Sequence, residues 1–418
     1  MKVFKFGGAS VKDAAGVRNT ASIIDAEQDS LVVVVSAMGK TTDALVSVTR
    51  NYFDGHVDEA LHGINLLKEY HHQIVKSLFE NGNEKLERSV NEDFDALTKR
   101  VNIPPSLNYD FEYDQIVSTG EMVSTEIVAA YLNYLGKVTK WIDAGHYIRT
   151  NDTWREGEID WELTRKLMPQ AFQFGENSVC LTQGFIGATT FNLTTTLGRE
   201  GSDYSAAIIA NVLDAESVTI WKDVPGIMNA DPHRYESTYK LEKISYREAV
   251  EMTYYGAKVI HPKTMKPLVE KLIPLYVRSF IQPEEAGTII CQIDHPMEYI
   301  PVYIDKDDQV LITISPKDFS FIAEDSISGI YHLFALHRIK MNLVQQSAMN
   351  FSIAVDMPER GFEQLIEDLK IKFIVHYNGD LELLTIRYYN EEIVRKMTAG
   401  RQVFVEQRTR TAARFLLK

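Results

Sequence analysis

The chain has 418 residues, which is too many for one ordinary hydrophobic core, so two or three domains are expected. It is 45% hydrophobic and 24% charged, with a formal net charge of −14 and a pI near 5.3. This acidic balance argues against a nucleic-acid-binding surface, which needs clustered Lys and Arg. The absence of a long apolar stretch, a signal peptide and a metal-ligating Cys or His motif predicts a cytoplasmic protein without a membrane segment or a metal site.

Strands and helices alternate from the start of the chain. Residues 3–6 are predicted to form a short strand and residues 17–26 a helix. The run 31–36 contains four consecutive β-branched valines at 32–35, which is typical of a strand covered on both faces in a parallel sheet. Residues 56–100 are charged and helical in pattern, and predict a helical excursion from the sheet. Further strands are predicted at 138–142, 179–181, 217–221 and 274–277. This rhythm predicts an α/β domain with a mainly parallel sheet over residues 1–293.

Shorter strands and helices mark a second region after that domain. Residues 291–308 contain two prolines and several charges, and are predicted to be a linker. Short elements follow in the order strand, helix, strand, strand, helix, and then a partial echo of the same pattern. The predicted strands are 310–315, 341–346, 351–355, 383–388 and 402–406, and the predicted helices are 328–337 and 362–369. This order predicts a ferredoxin-like α+β domain over 300–378 and an abbreviated second unit over 379–418.

Two glycine-rich segments have residue types suited to anions. Gly7 and Gly8 follow a predicted strand directly, so their backbone N–H groups can approach a phosphate, and Lys5 adds a positive charge. Alone, such a glycine pair is more often a tight turn. A second loop leads into a helix near Ser202, and Arg199 in that loop can bind a carboxylate through two parallel hydrogen bonds. Simple capping of that helix is an equally good alternative.

Two further segments carry lysines near predicted strand or helix ends. Residues 221–232 place a loop after a strand, where ligands of open α/β sheets bind, although an ordinary surface loop is favoured when this segment is taken alone. Residues 256–262 end a helix that begins with a capping box, Ser245 and Glu248. Lys258 in this segment could reach a phosphate, but an isolated lysine usually faces solvent.

Six segments, taken in this order, resemble the aspartate kinases of the amino acid kinase superfamily. They are KFGGAS at 5–10, SAMGKTTDAL at 36–45, STGE at 118–121, QGFIG at 183–187, TTLGREGSDY at 195–204 and GAKVIHP at 256–262. The resemblance covers residues 1–293. It implies an open, mainly parallel sheet between helices, and transfer of a phosphoryl group from ATP to the side-chain carboxylate of L-aspartate. The chain departs from the family pattern at Ala9, Glu200, Met228 and His233.

The resemblance also implies a role for individual residues. Lys5 and Asp203 would be catalytic, with Asp203 orienting Lys5 beside the phosphoryl group. Arg199 would bind the α-carboxylate of aspartate and Glu121 its α-ammonium group. The residues implied to bind aspartate are Thr42, Glu121, Arg199 and Ser202. The residues implied to contact ATP are Lys5, Gly7, Gly8, Lys222, Asp223, Met228 and Lys258. Mg²⁺ would be carried by ATP, and no general base is needed because a carboxylate nucleophile is already ionised at pH 7.

The region after residue 300 resembles the ACT regulatory domains of the same enzymes. Residues 343–355 look like the strand, turn and strand of the family's effector site, with Ser347 and Asn342 as effector contacts. The resemblance implies feedback inhibition by lysine or threonine, end products of a pathway that also leads to methionine. An open sheet edge predicts a homodimer through residues 300–418. Two rival functions are a kinase acting on glutamate or acetylglutamate, and a non-catalytic amino acid sensor.

Overall fold

The computed structural model describes residues 1–175, 179–257, 260–294, 300–318, 320–358 and 361–418. The chain divides into two compact units. The first comprises Met1–Ile227, Lys240–Val250 and Val259–Asp294, and the second comprises Met228–Tyr239, Glu251–Lys258 and His295–Lys418. No helix in the described part of the chain is both long enough and apolar enough to cross a membrane.

The first unit is built on an eight-stranded sheet and a separate hairpin. The strands of the sheet are β1 Lys2–Phe6, β2 Leu31–Val35, β3 Thr139–Ile142, β4 Val179–Gln183, β7 Ser217–Lys222, β8 Lys243–Ser245, β9 Leu275–Ser279 and β10 Thr288–Cys291, and the hairpin consists of β5 Ile186–Ala188 and β6 Thr194–Thr196. The strand order in the sheet is β3-β4-β2-β1-β7-β9-β10-β8. All neighbouring strands of this sheet are parallel except β9 and β10. The prediction of an open, mainly parallel sheet is confirmed.

Helices connect these strands. They are α1 Ala14–Asp25, α2 Thr41–Phe53, α3 Val57–Leu78, α4 Glu84–Val101, α5 Tyr109–Val117, α6 Thr119–Tyr134, α7 Trp161–Ala171, α8 Gly201–Val212, α9 Tyr246–Tyr255 and α10 Pro262–Glu270. The predicted helical excursion is the pair α3 and α4. In α4 the apolar residues Leu86, Val90, Phe94 and Leu97 recur at helical spacing and are all buried, so this charged helix is held by one apolar face.

The second unit is built on a six-stranded antiparallel sheet with the order β12-β13-β11-β14-β16-β15. Its strands are β11 Val302–Pro316, β12 Met341–Gln346, β13 Phe351–Asp356, β14 Phe373–Arg387, β15 Val403–Arg408 and β16 Ala412–Leu417, and its helices are α11 Glu324–Leu336, α12 Phe362–Lys372 and α13 Glu391–Thr398. The prediction of an α+β region after the mainly parallel sheet is confirmed.

Two long strands join the two halves of this sheet. β11 and β14 each have 15 residues and pair with each other, with register shifts at 306–311. The second half of β11 pairs with β13, whereas the second half of β14 pairs with β16. The prediction of a linker over 291–308 is therefore wrong for residues 302–308, which lie in β11, because residues 302–306 pair with β14, a strand distant in sequence.

Candidate active site

The sheet of the first unit brings four strand ends to one edge. Phe6 at the end of β1 is in register with Val35 of β2 and Trp221 of β7, and Val35 is in register with Gln183 of β4. Because these strands are parallel, the loops that follow them leave from the same edge of the sheet. Ligands of open α/β sheets bind at this carboxyl edge, where the segments that follow β1, β2, β4 and β7 begin.

Gly8 lies where two of these loops come into backbone contact. A Cβ atom at this position would lie 2.7 Å from the carbonyl oxygen of Ala37 and 2.8 Å from that of Gly39. The Gly39 N–H donates to the carbonyl oxygen of Gly8 at 3.0 Å. Only glycine fits so close to these backbone atoms. At the neighbouring Gly7, a Cβ atom would lie 3.5 Å from the Lys5 Nζ. The glycine pair, called the Gly7-Gly8 cradle below, therefore lets two backbone loops pack closely, and the Lys5 ammonium beside it suits a phosphate.

Lys5 and Asp203 form a buried ion pair. The Lys5 Nζ lies 2.7 Å from Asp203 Oδ1, and the two side chains are 11% and 2% exposed. Asp203 is in the first turn of α8, where the positive end of the helix dipole favours a carboxylate. These residues are distant in sequence, and the structure brings them together in the contact that the family resemblance implies.

Glu121 is a buried carboxylate in the first turn of α6, with 3% of its surface exposed. Its Oε1 accepts the Ala37 N–H at 3.2 Å, and its Oε2 is buried without a hydrogen-bond partner among the described residues. Burial raises the pKa of Glu121 to about 8, against the lowering effects of the Ala37 N–H and the positive charge of Lys5. A carboxylate with one unsatisfied buried oxygen suits a ligand that brings a cationic donor, such as an amine.

The start of α2 packs against the start of α6. A Cβ atom at Gly120 would lie 2.9 Å from the Cβ of Ala37 and 3.1 Å from the Cγ2 of Thr41. Thr41 is 2% exposed, and its hydroxyl has no hydrogen-bond partner in the described part of the chain. Thr42, the residue chosen by sequence reasoning, is only half-buried. The TTDAL motif does not predict Thr41, because it gives no sign of which of the two threonine hydroxyls faces inward.

The loop before α8 carries Arg199 on the surface. Arg199 is exposed, and no hydrogen bond or ion pair to another described residue is found for its guanidinium. Glu200 adopts the left-handed conformation with a φ of 54°, which costs a non-glycine residue roughly 1 to 2 kcal/mol. Ser202 is buried against the end of β4, where a Cβ atom at Gly184 would lie 2.4 Å from the Ser202 Cβ. This packing fixes the N-terminus of α8 at the carboxyl edge.

The residues expected to contact ATP follow β7. Lys222 is half-buried at the end of this strand, and its carbonyl oxygen accepts the Phe280 N–H at 2.9 Å. Asp223 is exposed in the turn that follows, and Met228 is half-buried in the segment assigned to the second unit. Lys258 lies outside the described residues. Contact between these side chains and a nucleotide stays a prediction.

The two expected effector residues lie at different ends of β12. Ser347 is exposed in the turn after this strand, and its hydroxyl accepts the Asn350 N–H at 3.0 Å. Asn342 is buried near the start of the strand, and its Nδ2 donates to Gln309 Oε1 at 2.9 Å and Asp356 Oδ1 at 2.8 Å. A strand rises roughly 3.3 Å per residue, so about 16 Å separates their Cα atoms. The structure does not bring these two residues together within one chain.

Asp114 is a buried residue that sequence reasoning missed. It lies in α5 with 0% exposure, and both of its carboxylate oxygens accept hydrogen bonds. The only sign in the sequence is its position shortly before the STGE segment, and its partners come from distant segments.

The pattern of the amino acid kinase family matches residues 1–279. The chain belongs to the amino acid kinase family. Lysine-sensitive aspartokinase 3 of Escherichia coli (strain K12) is 31% identical over 369 residues, which cover 85% of this chain and 78% of that protein. Aspartokinase 1, chloroplastic, of Arabidopsis thaliana is 30% identical over 378 residues, which cover 87% of this chain and 65% of that protein. Within the family, the chain is therefore placed among the aspartokinases, as the sequence motifs indicated.

Solved structures give the same placement. The crystal structure of E. coli aspartokinase III with aspartate and ADP, described as the R-state, has a TM-score of 0.84 and 27% identity, and covers 100% of this chain and 96% of that one. The same enzyme with lysine and aspartate, described as the T-state, has a TM-score of 0.80 and 26% identity, and covers 100% of this chain and 95% of that one. By contrast, the chain spans 42% of the bifunctional aspartokinase/homoserine dehydrogenase 2 of Arabidopsis thaliana.

Proposed function

We propose that this protein is an aspartate kinase, which transfers the γ-phosphoryl group of ATP to the side-chain carboxylate of L-aspartate. The observation that carries the proposal is the meeting of two kinds of group at one sheet edge. Lys5, paired with Asp203, lies beside the Gly7-Gly8 cradle, and Glu121 offers a buried, unsatisfied carboxylate oxygen. A phosphate and an amino acid are the ligands that these groups match, and the aspartokinase relatives support this reaction.

The reaction needs positioning and charge stabilisation more than proton transfer. The aspartate carboxylate is ionised at pH 7, so an oxygen atom can attack the γ-phosphorus directly while the bond to the bridging oxygen of ADP breaks. Lys5 would donate to the phosphoryl oxygens as charge moves between donor and acceptor, and Asp203 would hold the Lys5 ammonium in place. The products are ADP and an acyl phosphate, 4-phospho-L-aspartate.

Recognition of aspartate is assigned to the groups around this centre. Glu121 Oε2 would accept from the α-ammonium group, and the exposed guanidinium of Arg199 would bind the α-carboxylate in a bidentate manner. Ser202, Thr42 and the buried Thr41 would add hydroxyl contacts. Glutamate, longer by one methylene, would place its carboxylate past the phosphoryl group if the two α-substituents were held in the same way.

ATP is assigned to the neighbouring part of the edge. The Lys5 ammonium lies beside Gly7 and would meet a phosphate oxygen, and Lys222 and Asp223 follow the adjacent strand β7. Met228 and Lys258 complete the proposed nucleotide set. Mg²⁺ bound to ATP would neutralise part of the phosphate charge. Lys5 would be the side chain of this protein that contacts the same phosphates.

The region after residue 300 is proposed to be regulatory. We assign residues 1–293 to catalysis, 300–378 to a first ACT-like domain and 379–418 to an abbreviated second one, in a cytoplasmic homodimer. Strands β12 and β15 form the two edges of the six-stranded sheet, and pairing of such edges across a two-fold axis is the simplest way to cover them. The lysine-bound T-state of the E. coli relative supports lysine as the effector.

A hydroxamate assay tests the proposed reaction. The full-length protein is incubated with ATP, Mg²⁺, L-aspartate and hydroxylamine, which traps an acyl phosphate. Hydroxamate that depends on both ATP and aspartate is expected. Equal product from glutamate or acetylglutamate would overturn the substrate assignment. If aspartate, glutamate and acetylglutamate all give no product while the protein still binds lysine, the result would favour the non-catalytic amino acid sensor.

A further inference from the structure

Asp114 is a carboxylate buried beneath the loop that carries Arg199. It lies in α5 and is 0% exposed. Its Oδ1 accepts the hydroxyl of Thr196 at 2.6 Å, and its Oδ2 accepts the backbone N–H of Arg155 at 2.9 Å. Thr196 is the last residue of β6, and the chain continues from it directly into the loop with Arg199. One carboxylate thus joins two segments that are distant from it in sequence.

The same loop is held from the Arg155 side. The Gly157 N–H donates to the carbonyl oxygen of Thr196 at 2.9 Å. Gly198 has a φ of 80°, and a Cβ atom there would lie 3.2 Å from the carbonyl oxygen of Arg155. The Arg155 backbone itself is left-handed, with a φ of 66°, so its position depends on contacts such as the one to Asp114. The backbone that leads into Gly198 is therefore tied to Asp114 directly at Thr196, and Gly198 itself lies against the Arg155 backbone that Asp114 also holds.

We propose that Asp114 is a positioning residue for aspartate binding: it fixes the backbone of residues 195–199 so that the Arg199 guanidinium meets the α-carboxylate of the substrate. This inference rests on the proposed function. Arg199 has no hydrogen-bond or ion-pair partner found within the described residues, so the location of its side chain follows from the loop backbone. Both partners of Asp114 donate a hydrogen bond, the Arg155 N–H to one oxygen and the Thr196 hydroxyl to the other. A carboxylate is required because it has two accepting oxygens, whereas an amide has only one.

Asp114→Asn is the variant that tests the role. The α-carboxylate of aspartate takes no part in bond making, so its contact with Arg199 is as strong in the ground state as in the transition state. Loosening Arg199 is therefore expected to raise the KM for aspartate about tenfold, while kcat and the KM for ATP change less than about twofold. Thr196→Val removes one of the two hydrogen bonds and is expected to give a smaller rise of the same kind.

Glu112→Gln is the matched control. Glu112 is a second buried carboxylate of α5, but it accepts the Ser106 N–H at 2.9 Å and lies 3.2 Å from Arg100 Nε, away from the loop. This variant is expected to lower thermal stability without changing the KM for aspartate. Thermal melts of all the variants separate loss of folding from loss of binding.

A double-mutant cycle with Arg199→Ala gives the deciding measurement. If Asp114 acts through Arg199, then Asp114→Asn should change the KM for aspartate little once Arg199 is already alanine. Full additivity, or an unchanged KM in both Asp114→Asn and Thr196→Val, would overturn the inference. A wild-type protein that yields no aspartate hydroxamate would instead refute the proposed function. If Asp114→Asn does not fold, Thr196→Val in the same cycle decides the question.

Discussion

Removal of the Lys5 ammonium is the perturbation with the clearest expected result. Lys5→Met keeps the length and most of the apolar volume of the side chain, but it leaves the Asp203 carboxylate, which is 2% exposed, without the cation at 2.7 Å. The same substitution removes the positive charge beside the Gly7-Gly8 cradle. One change therefore affects both the stability of the fold and the chemistry of the site.

Each effect has an expected magnitude. Removal of one partner from a buried ion pair costs roughly 3 to 5 kcal/mol in the free energy of unfolding. The upper end applies here because Lys5 is only 11% exposed, so solvent screens the pair weakly. Loss of one preorganised donor at a site of charge development costs on the order of 3 kcal/mol in activation free energy, or roughly a hundredfold in kcat.

The assay separates these effects by a second variant. Denaturant unfolding gives the stability of Lys5→Met, of Asp203→Asn and of the double variant, and the hydroxamate assay gives kcat for each. The double variant has no unpaired buried charge, so it is expected to recover most of the lost stability. It is not expected to recover activity, because the ammonium is still missing.

Two results would refute this reasoning. A kcat for Lys5→Met within threefold of the wild type would remove Lys5 from charge stabilisation. A double variant less stable than Lys5→Met would show that Asp203 stabilises the fold through contacts other than the ion pair.

Three further predictions concern the other site residues. Because folded Glu121 keeps its proton to about pH 8, whereas its ordinary pKa is 4.5, the free energy of unfolding should fall as the pH rises between these values. Glu121→Gln should flatten this dependence of the free energy of unfolding on pH, measured by denaturant unfolding at several pH values. In the wild type, the KM for aspartate should fall near pH 8 as Glu121 loses its proton, and Glu121→Gln should abolish that fall. Arg199→Ala should raise the KM for aspartate at least tenfold with kcat changed much less, and equal losses in kcat and kcat/KM would contradict this assignment. Ser347→Phe should weaken lysine inhibition of the full-length enzyme severalfold, and a normal lysine response would exclude Ser347 from the effector site.

Local sequence predicted the elements whose structure depends on local properties. The apolar run of β2 is buried at all five positions, because the helices that connect parallel strands cover both faces of the sheet. The serine half of the predicted capping box at α9 is present, with the Glu248 N–H donating to the Ser245 hydroxyl at 3.1 Å. Motif order was enough to indicate the family, since glycines such as Gly8 are required by backbone approaches that no other residue allows.

The sequence by itself determined the succession of strands and helices, the glycine-lined loops and the residue types available for phosphate and amino acid binding. Only the tertiary structure decided which of those residues meet. It paired Lys5 with Asp203, turned Thr41 rather than Thr42 inward, and joined Asp114 to the loop that carries Arg199. It also made residues 302–308 a strand, because hydrogen bonds to β14 outweigh a charged local sequence. Each of these outcomes depends on residues far apart in the chain, and the sequence around one residue does not indicate its distant partner.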